Sequence, residues 1–163
     1  MIDPQNLRAV MSLWPTGVCV ITGLDDEDRP LGLVIGSFSS VSLDPPLVGF
    51  FPQKTSATWL AMRETKRFCV NILSHDQTTM CSRFSFGDIT KRFEGLEYSV
   101  TEGGIPKLPG CCAYIEVTTT AEIDAGDHWF VLCRVDSLET GEESSPLAFA
   151  QGRLSKLEPM PKN

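Results

Sequence analysis

Three short stretches of the chain gather residue types able to hold a ligand. The first is Gly36-Ser37-Phe38-Ser39-Ser40, followed by Ser42, in an otherwise apolar neighbourhood. Small hydroxyl side chains beside a glycine leave backbone amides open along the strand, which suits a flat ligand with a polar rim; a serine-rich strand end that makes a turn has the same composition. The second is Lys54-Thr55-Ser56 with Thr58, at the start of a predicted helix. Unsatisfied amides there favour an anion, a lysine and hydroxyls can complete its cage, and a phosphate is the natural guest. An ordinary capped helix with a surface lysine is the competing reading. No G-x-x-x-x-G-K-[ST] run is present, so nothing points to nucleotide hydrolysis. The third is Gly126-Asp127-His128, opening the strand Trp129-Phe130-Val131-Leu132-Cys133. A histidine beside an acid can orient a substrate near neutral pH, or it can sit solvated in its turn.

The elements that must position these stretches are mostly strands. Asp3, Pro4 and the spacing of Leu7, Val10, Met11 and Trp14 predict a short amphipathic helix closed by Pro15. Gly17 to Leu24 and Leu31 to Val41 read as an antiparallel hairpin about the acidic turn Asp25 to Asp28. A third strand, Leu47 to Phe51, is bounded by Asp44-Pro45-Pro46 and Pro52. Thr55 to Glu64 reads as a helix and Phe68 to Leu73 as a strand. The Ser74 and Gln77 spacing of a capping box predicts a second surface helix over Asp76 to Phe84. Residues 85 to 110 form a long Gly- and Pro-punctuated excursion, of the kind that is functional or meets a partner chain. Two long strands, Cys112 to Ile123 and Trp129 to Leu138, flank the turn Asp124 to Asp127, and a short strand over Leu147 to Phe149 precedes a polar tail. Six or seven antiparallel strands with helices at the periphery predict a mainly β chain, a barrel rather than a βαβ sheet, in one domain over residues 1 to 163.

Charge and composition narrow the chemistry. With 14 Lys and Arg against 21 Asp and Glu, the net charge of -7 excludes a nucleic-acid or anionic-membrane surface built on bulk positive charge. No run of about 18 apolar residues and no secretory signal is found, so a cytoplasmic location is expected. The six cysteines then read as reduced thiols, with Cys19, Cys69, Cys112 and Cys133 lying in apolar runs as small buried hydrophobes. Without a C-x-x-C and with only two histidines, no metal set is expected. His75 reads as a surface residue, and the pairs Asp25-Asp26 and Glu142-Glu143 as solvated turns rather than a general acid and base.

Five motifs in this order, spread over nearly the whole chain, carry a resemblance. They are Trp14-Pro15-Thr16-Gly17-Val18, the run Ser37 to Val48 (SFSSVSLDPPLV), Lys54-Thr55-Ser56 with Trp59, Arg67 to Leu73 (RFCVNIL) and Gly126-Asp127-His128. Together they make the chain resemble the flavin reductase family with the FMN-binding split-barrel fold, which includes the reductase components of two-component flavin monooxygenases. The resemblance implies a Greek-key split barrel and hydride transfer from NADH or NADPH to FMN or FAD. It implies that Gly36 to Ser40 line the isoalloxazine, that Lys54, Ser56 and Thr58, with Thr55 between them, hold the flavin phosphate, and that Gly126, Asp127 and His128 border the nicotinamide. It further implies reduced flavin supplied to a partner monooxygenase, and a homodimer in which the 85 to 110 excursion, around Phe93 to Tyr98, closes over a neighbour's site. A flavoprotein with tightly held FMN and another electron donor, or a non-catalytic flavin-binding module, are the alternatives. Many relatives carry Thr and Asn or Ser where this chain has Val34 and Gly36, so backbone amides here would replace side-chain hydrogen bonds to the ring.

Overall fold

The computed structural model describes residues 2–142 and 145–158. The helices among them are α1 (Pro4–Met11), α2 (Ala57–Met62) and α3 (Thr78–Ser85). The strands, in chain order, are β1 (Thr16–Gly17), β2 (Cys19–Leu24), β3 (Pro30–Ile35), β4 (Ser39–Leu43), β5 (Pro46–Phe50), β6 (Arg67–Ile72), β7 (Ser99–Val100), β8 (Pro106–Lys107), β9 (Ala113–Ala125), β10 (His128–Thr140), β11 (Leu147–Ala150) and β12 (Arg153–Lys156). Seven of them form one antiparallel sheet in the order β3-β2-β6-β9-β10-β5-β4. β1, β11 and β12 make a second small sheet, and β7 pairs with β8.

The connectivity forces the large sheet to curl. Its two edges, β3 and β4, are consecutive in the chain and are joined by Gly36, Ser37 and Phe38 alone. Laid flat, seven strands would hold those edges about 29 Å apart, whereas the linker reaches roughly 14 Å when fully extended. The sheet therefore closes into a barrel with a seam between β3 and β4, a split barrel as expected from the sequence. Bulges between Leu132 and Cys133 and between Val135 and Ser137 let the long β9–β10 hairpin bend around it.

β2 is buried on both faces, which explains why the chain is apolar without a break from Val18 to Ile21. Cys19 and Ile21 enter the barrel interior with Phe50, Trp59, Phe68 and Val131. Val18 and Val20 pack outward against Leu73, Phe84, Phe93 and Leu108. Alternation along a strand sends neighbours to opposite sides, so two cores require two apolar sets. The second core accounts for the 85 to 110 excursion. Phe93 meets Phe84 edge-on at 5.1 Å, and Ile105 and Leu108 are buried, so the segment folds back over the chain's own sheet. The buried Asn71 amide ties it down, donating to Val20 O and Thr22 Oγ1 while its Oδ1 accepts from Leu108 N at 2.8 Å.

Several expectations need correction. Asp25 is not a solvated turn residue: its carboxylate is buried and accepts from the amides of Glu27 and Arg29 and from Arg29 Nε at 2.8 Å. Burial works to raise its pKa, but hydrogen bonds from Arg29 and Glu27 outweigh it and hold the carboxyl below its ordinary value. His75 is half-buried, its ring Nδ1 enclosed and its amide bonded to Ser145 O at 2.9 Å, because the adjacent Ser74 bridges to Pro146. Of the vicinal cysteines, Cys111 rather than Cys112 is the fully buried one; burial pushes its thiol up to about 12 and that of Cys133 to about 11. Only half of the capping box forms: Gln77 Oε1 accepts from Ser74 N at 2.9 Å, while the Ser74 hydroxyl turns to Asp76 and α3 starts two residues later than expected. Glu143 and the end of the polar tail lie outside the described residues. Among those described, no helix is long and apolar enough to cross a membrane.

Candidate active site at the barrel seam

A cavity of about 460 Å³ opens at the seam. Two loops and one hairpin tip build it. The first loop is the β3–β4 linker, whose Gly36 and Ser37 line the cavity. Ser37 Oγ accepts from Phe51 N at 3.1 Å, a contact that fixes the linker to the end of β5 across the seam. A side chain at position 36 would meet Thr16 Oγ1 at 3.2 Å, so glycine keeps the linker backbone open to a flat guest at this point.

The second loop runs from Phe51 to Ser56 into α2. Ser56 caps the helix, its Oγ accepting from Trp59 N at 3.3 Å, which leaves its own proton to donate. Thr58 Oγ1 accepts from Arg92 Nη1 at 3.2 Å and likewise keeps a proton to donate. Arg92 comes from the excursion and is 8% exposed. Its Nη1 also donates to Gly32 O at 2.9 Å, its Nε has no partner, and no carboxylate among the described residues forms an ion pair with it. Burial lowers the Arg92 pKa and the nearby charge of Asp88 raises it, but a guanidinium stays protonated. A buried cation without an ion-pair partner is costly, and the hydroxyl protons of Thr58 beside it and of Ser56 in the same cavity complete an anion-binding corner. Because α2 has only six residues, these side chains rather than a helix dipole carry the preference.

The hairpin tip between β9 and β10 brings His128 to the same cavity. Gly126 has φ +76°, which the tight turn requires and glycine supplies without strain. His128 Nδ1 lies 2.7 Å from Asp127 Oδ1. The hydrogen bond from His128 holds the Asp127 carboxyl below its ordinary range, so at neutral pH the carboxylate only accepts. Nδ1 therefore carries the proton, and Nε2 is the ring atom left to meet a ligand.

Of the residues singled out in the sequence, Gly36, Ser37, Ser56, Thr58 and His128 meet at this cavity. Phe38 packs against the barrel core, and Ser39 and Ser40 are exposed members of β4, paired with Gly49 and Val48. Thr55, Gly126 and Asp127 are exposed and do not line it. Lys54 turns to Asp124 at 2.5 Å. Arg92, Gln53, Phe51 and Ser85, which also line the cavity, escaped the sequence reading. A lone arginine in a glycine-rich loop carries no pattern, and only the burial of its neighbour Phe93 hints that Arg92 is carried inward.

A split barrel whose seam cavity is lined by an anion corner and by His128, with Asp127 bonded to the far side of its ring, offers a site for a phosphate-bearing ligand with a second reactant beside it. The profile of the flavin reductase like domain matches residues 11–158, and the chain belongs to that family. It is 42% identical over 151 residues to a flavin reductase of Pseudomonas putida, covering 93% of this chain and 88% of the relative. It is 40% identical over 158 residues to the reductase subunit of a flavin-dependent monooxygenase of Rhodococcus jostii, covering 97% and 80%. The crystal structure of a nitrilotriacetate monooxygenase component B homologue from Mycobacterium thermoresistibile superposes with a TM-score of 0.91 at 34% identity, covering 99% of this chain and 92% of that one.

Proposed function

We propose that the protein is an NAD(P)H-dependent flavin reductase that binds the flavin along the barrel seam and supplies reduced flavin to a partner monooxygenase. The observation that carries this reading is the buried Arg92, with an unbonded Nε and no ion-pair partner among the described residues, in the same cavity as the hydroxyls of Ser56 and Thr58 and as His128. Arg92, Ser56 and Thr58 fit a flavin phosphate, and the Gly36–Phe38 linker fits the flat ring system. When bound, the flavin and nicotinamide together supply hydride transfer from C4 of the nicotinamide, a chemistry that belongs to the cofactors and requires no protein acid or base. The chain's own task is alignment, since hydride donor and acceptor must be held within about 3–3.5 Å. His128 Nε2 orients the nicotinamide by accepting a hydrogen bond, and the apolar walls at Leu33, Val34 and Phe84 exclude water. Anaerobic mixing of the protein with FMN and NADH or NADPH tests the reading: bleaching of the flavin absorbance with multiple turnovers of added flavin is expected. Binding without bleaching would leave a flavin-binding module, and bleaching limited to bound flavin would indicate a prosthetic group.

The functional unit is proposed to be a homodimer. α1 buries none of its residues against its own chain, and Leu7, Val10, Met11 and Trp14 present an apolar stripe to the outside. Asp3 caps this helix and Pro4 starts it, so it forms locally and needs a surface to cover it. A second copy is that surface. Light scattering should give twice the chain mass, and Val10→Glu combined with Trp14→Glu should shift it to the monomer; a monomeric wild-type protein with full flavin affinity would reject the assignment.

A further inference from the structure

Lys54 stands where the anion corner begins, yet its side chain is engaged elsewhere. Its Nζ lies 2.5 Å from Asp124 Oδ2 and 4.8 Å from the centre of the Trp129 ring. Backbone contacts run alongside: Lys54 N donates to Asp127 O at 3.0 Å, Trp129 N donates to Pro52 O at 3.0 Å, and Gln53 bridges to His128. Asp124 reaches in the other direction as well, its Oδ1 accepting from Gly126 N at 3.2 Å within the turn. The hydrogen bond from Lys54, followed by that from Gly126, keeps the Asp124 carboxyl below its ordinary range. The Phe51–Ser56 loop and the Asp124–His128 tip are thus zipped together over a few residues, with one charged clasp at the solvent end.

We propose that Lys54 and Asp124 are positioning residues that clasp the hairpin tip to the loop entering α2 and thereby fix His128 relative to the anion corner, and that Lys54 is not itself a phosphate ligand. The inference rests on the flavin reductase reading and deepens it. Both ends of the reaction are placed by separate elements: Ser56 by the loop, His128 by the hairpin. Without a clasp, the tip of a long two-stranded hairpin rocks about its strands, and the distance between nicotinamide and flavin rocks with it. An ion pair this exposed adds little to global stability, so its loss should act locally.

Four proteins test this: Lys54→Met, Asp124→Asn, the charge swap Lys54→Asp with Asp124→Lys, and Lys54→Met in a His128→Ala background. Amide hydrogen exchange of ligand-free protein should quicken at residues 126–129 in both single variants and return towards wild type in the swap, with thermal midpoints unchanged. FMN and riboflavin dissociation constants, read by fluorescence quenching, should each stay within about twofold of wild type. The reduction rate at saturating NAD(P)H should fall about fivefold in each single variant and recover in the swap, because misplacement of reacting partners is paid in rate rather than in flavin affinity. In the His128→Ala background Lys54→Met should have no further effect, as expected of two residues acting through one contact. If Lys54→Met weakens FMN tenfold while sparing riboflavin, Lys54 is a phosphate ligand and the clasp is rejected. Unchanged exchange and unchanged rates in the single variants reject it too. A wild-type protein that does not oxidise NAD(P)H with flavin overturns the reductase reading and the inference with it.

Discussion

Replacing Arg92 with Ala is expected to weaken FMN by about 10- to 100-fold while changing riboflavin affinity little, because a charge-assisted hydrogen bond to phosphate contributes on the order of 1.5–3 kcal/mol. Fluorescence titration with both ligands separates the phosphate term from ring stacking. Ser56→Ala should act in the same direction with a smaller loss, since it removes one neutral donor and also the cap on Trp59 N. In the free protein the arginine substitution should cost little: truncation loses the bonds of Nη1 to Gly32 O and Thr58 Oγ1 but also relieves the cost of a buried guanidinium with an unbonded Nε and no ion-pair partner among the described residues. Arg92→Ala should therefore show a nearly unchanged thermal midpoint without flavin, and a diminished rise when FMN is added. Equal losses for FMN and riboflavin would move the phosphate away from this corner.

His128→Ala should slow flavin reduction by NAD(P)H about tenfold, the worth of one hydrogen bond lost at the nicotinamide, with FMN affinity nearly intact. Stopped-flow absorbance under anaerobic conditions measures the step directly. Reduction of bound flavin by dithionite should proceed at the wild-type rate, because that reagent needs no nicotinamide site. His128→Asn should recover part of the rate, as its amide oxygen can accept the same hydrogen bond. Asp127→Asn should behave differently, since an amide NH2 facing His128 Nδ1 favours the tautomer that carries its proton on Nε2 and turns an acceptor into a donor. A His128→Ala protein that no longer binds flavin, but reduces it at full rate when saturated, would make the histidine a flavin ligand.

Much of the fold was legible in the residues because it rests on local physics. Pro4 after Asp3, the β-branched run of β2, the proline brackets around β5 and the glycine turn at 126 each act over a few neighbours, and each element stands where its signal falls. The hydroxyls of Ser56 and Thr58 and the imidazole of His128 were also readable, since their types and their places at element starts already limited what they can do. Two matters were decided only by tertiary structure. Arg92 became the cation of the anion corner because the excursion folds over the second core and buries Phe93 beside it, a consequence of contacts some sixty residues apart in sequence such as Arg92 with Gly32. Lys54 was drawn away to Asp124, seventy residues further on, where a carboxylate and an aromatic face compete for it more strongly than solvent does. Asp25, expected as a solvated turn residue, is instead a local case: its own turn curls around it and supplies two amides and a guanidinium from residues two and four positions on. Charge identity is written in the sequence, but the partner of a charge depends on which distant groups the barrel brings within about 4 Å of it, and Coulomb energy at that range outweighs any preference a single residue type carries on its own.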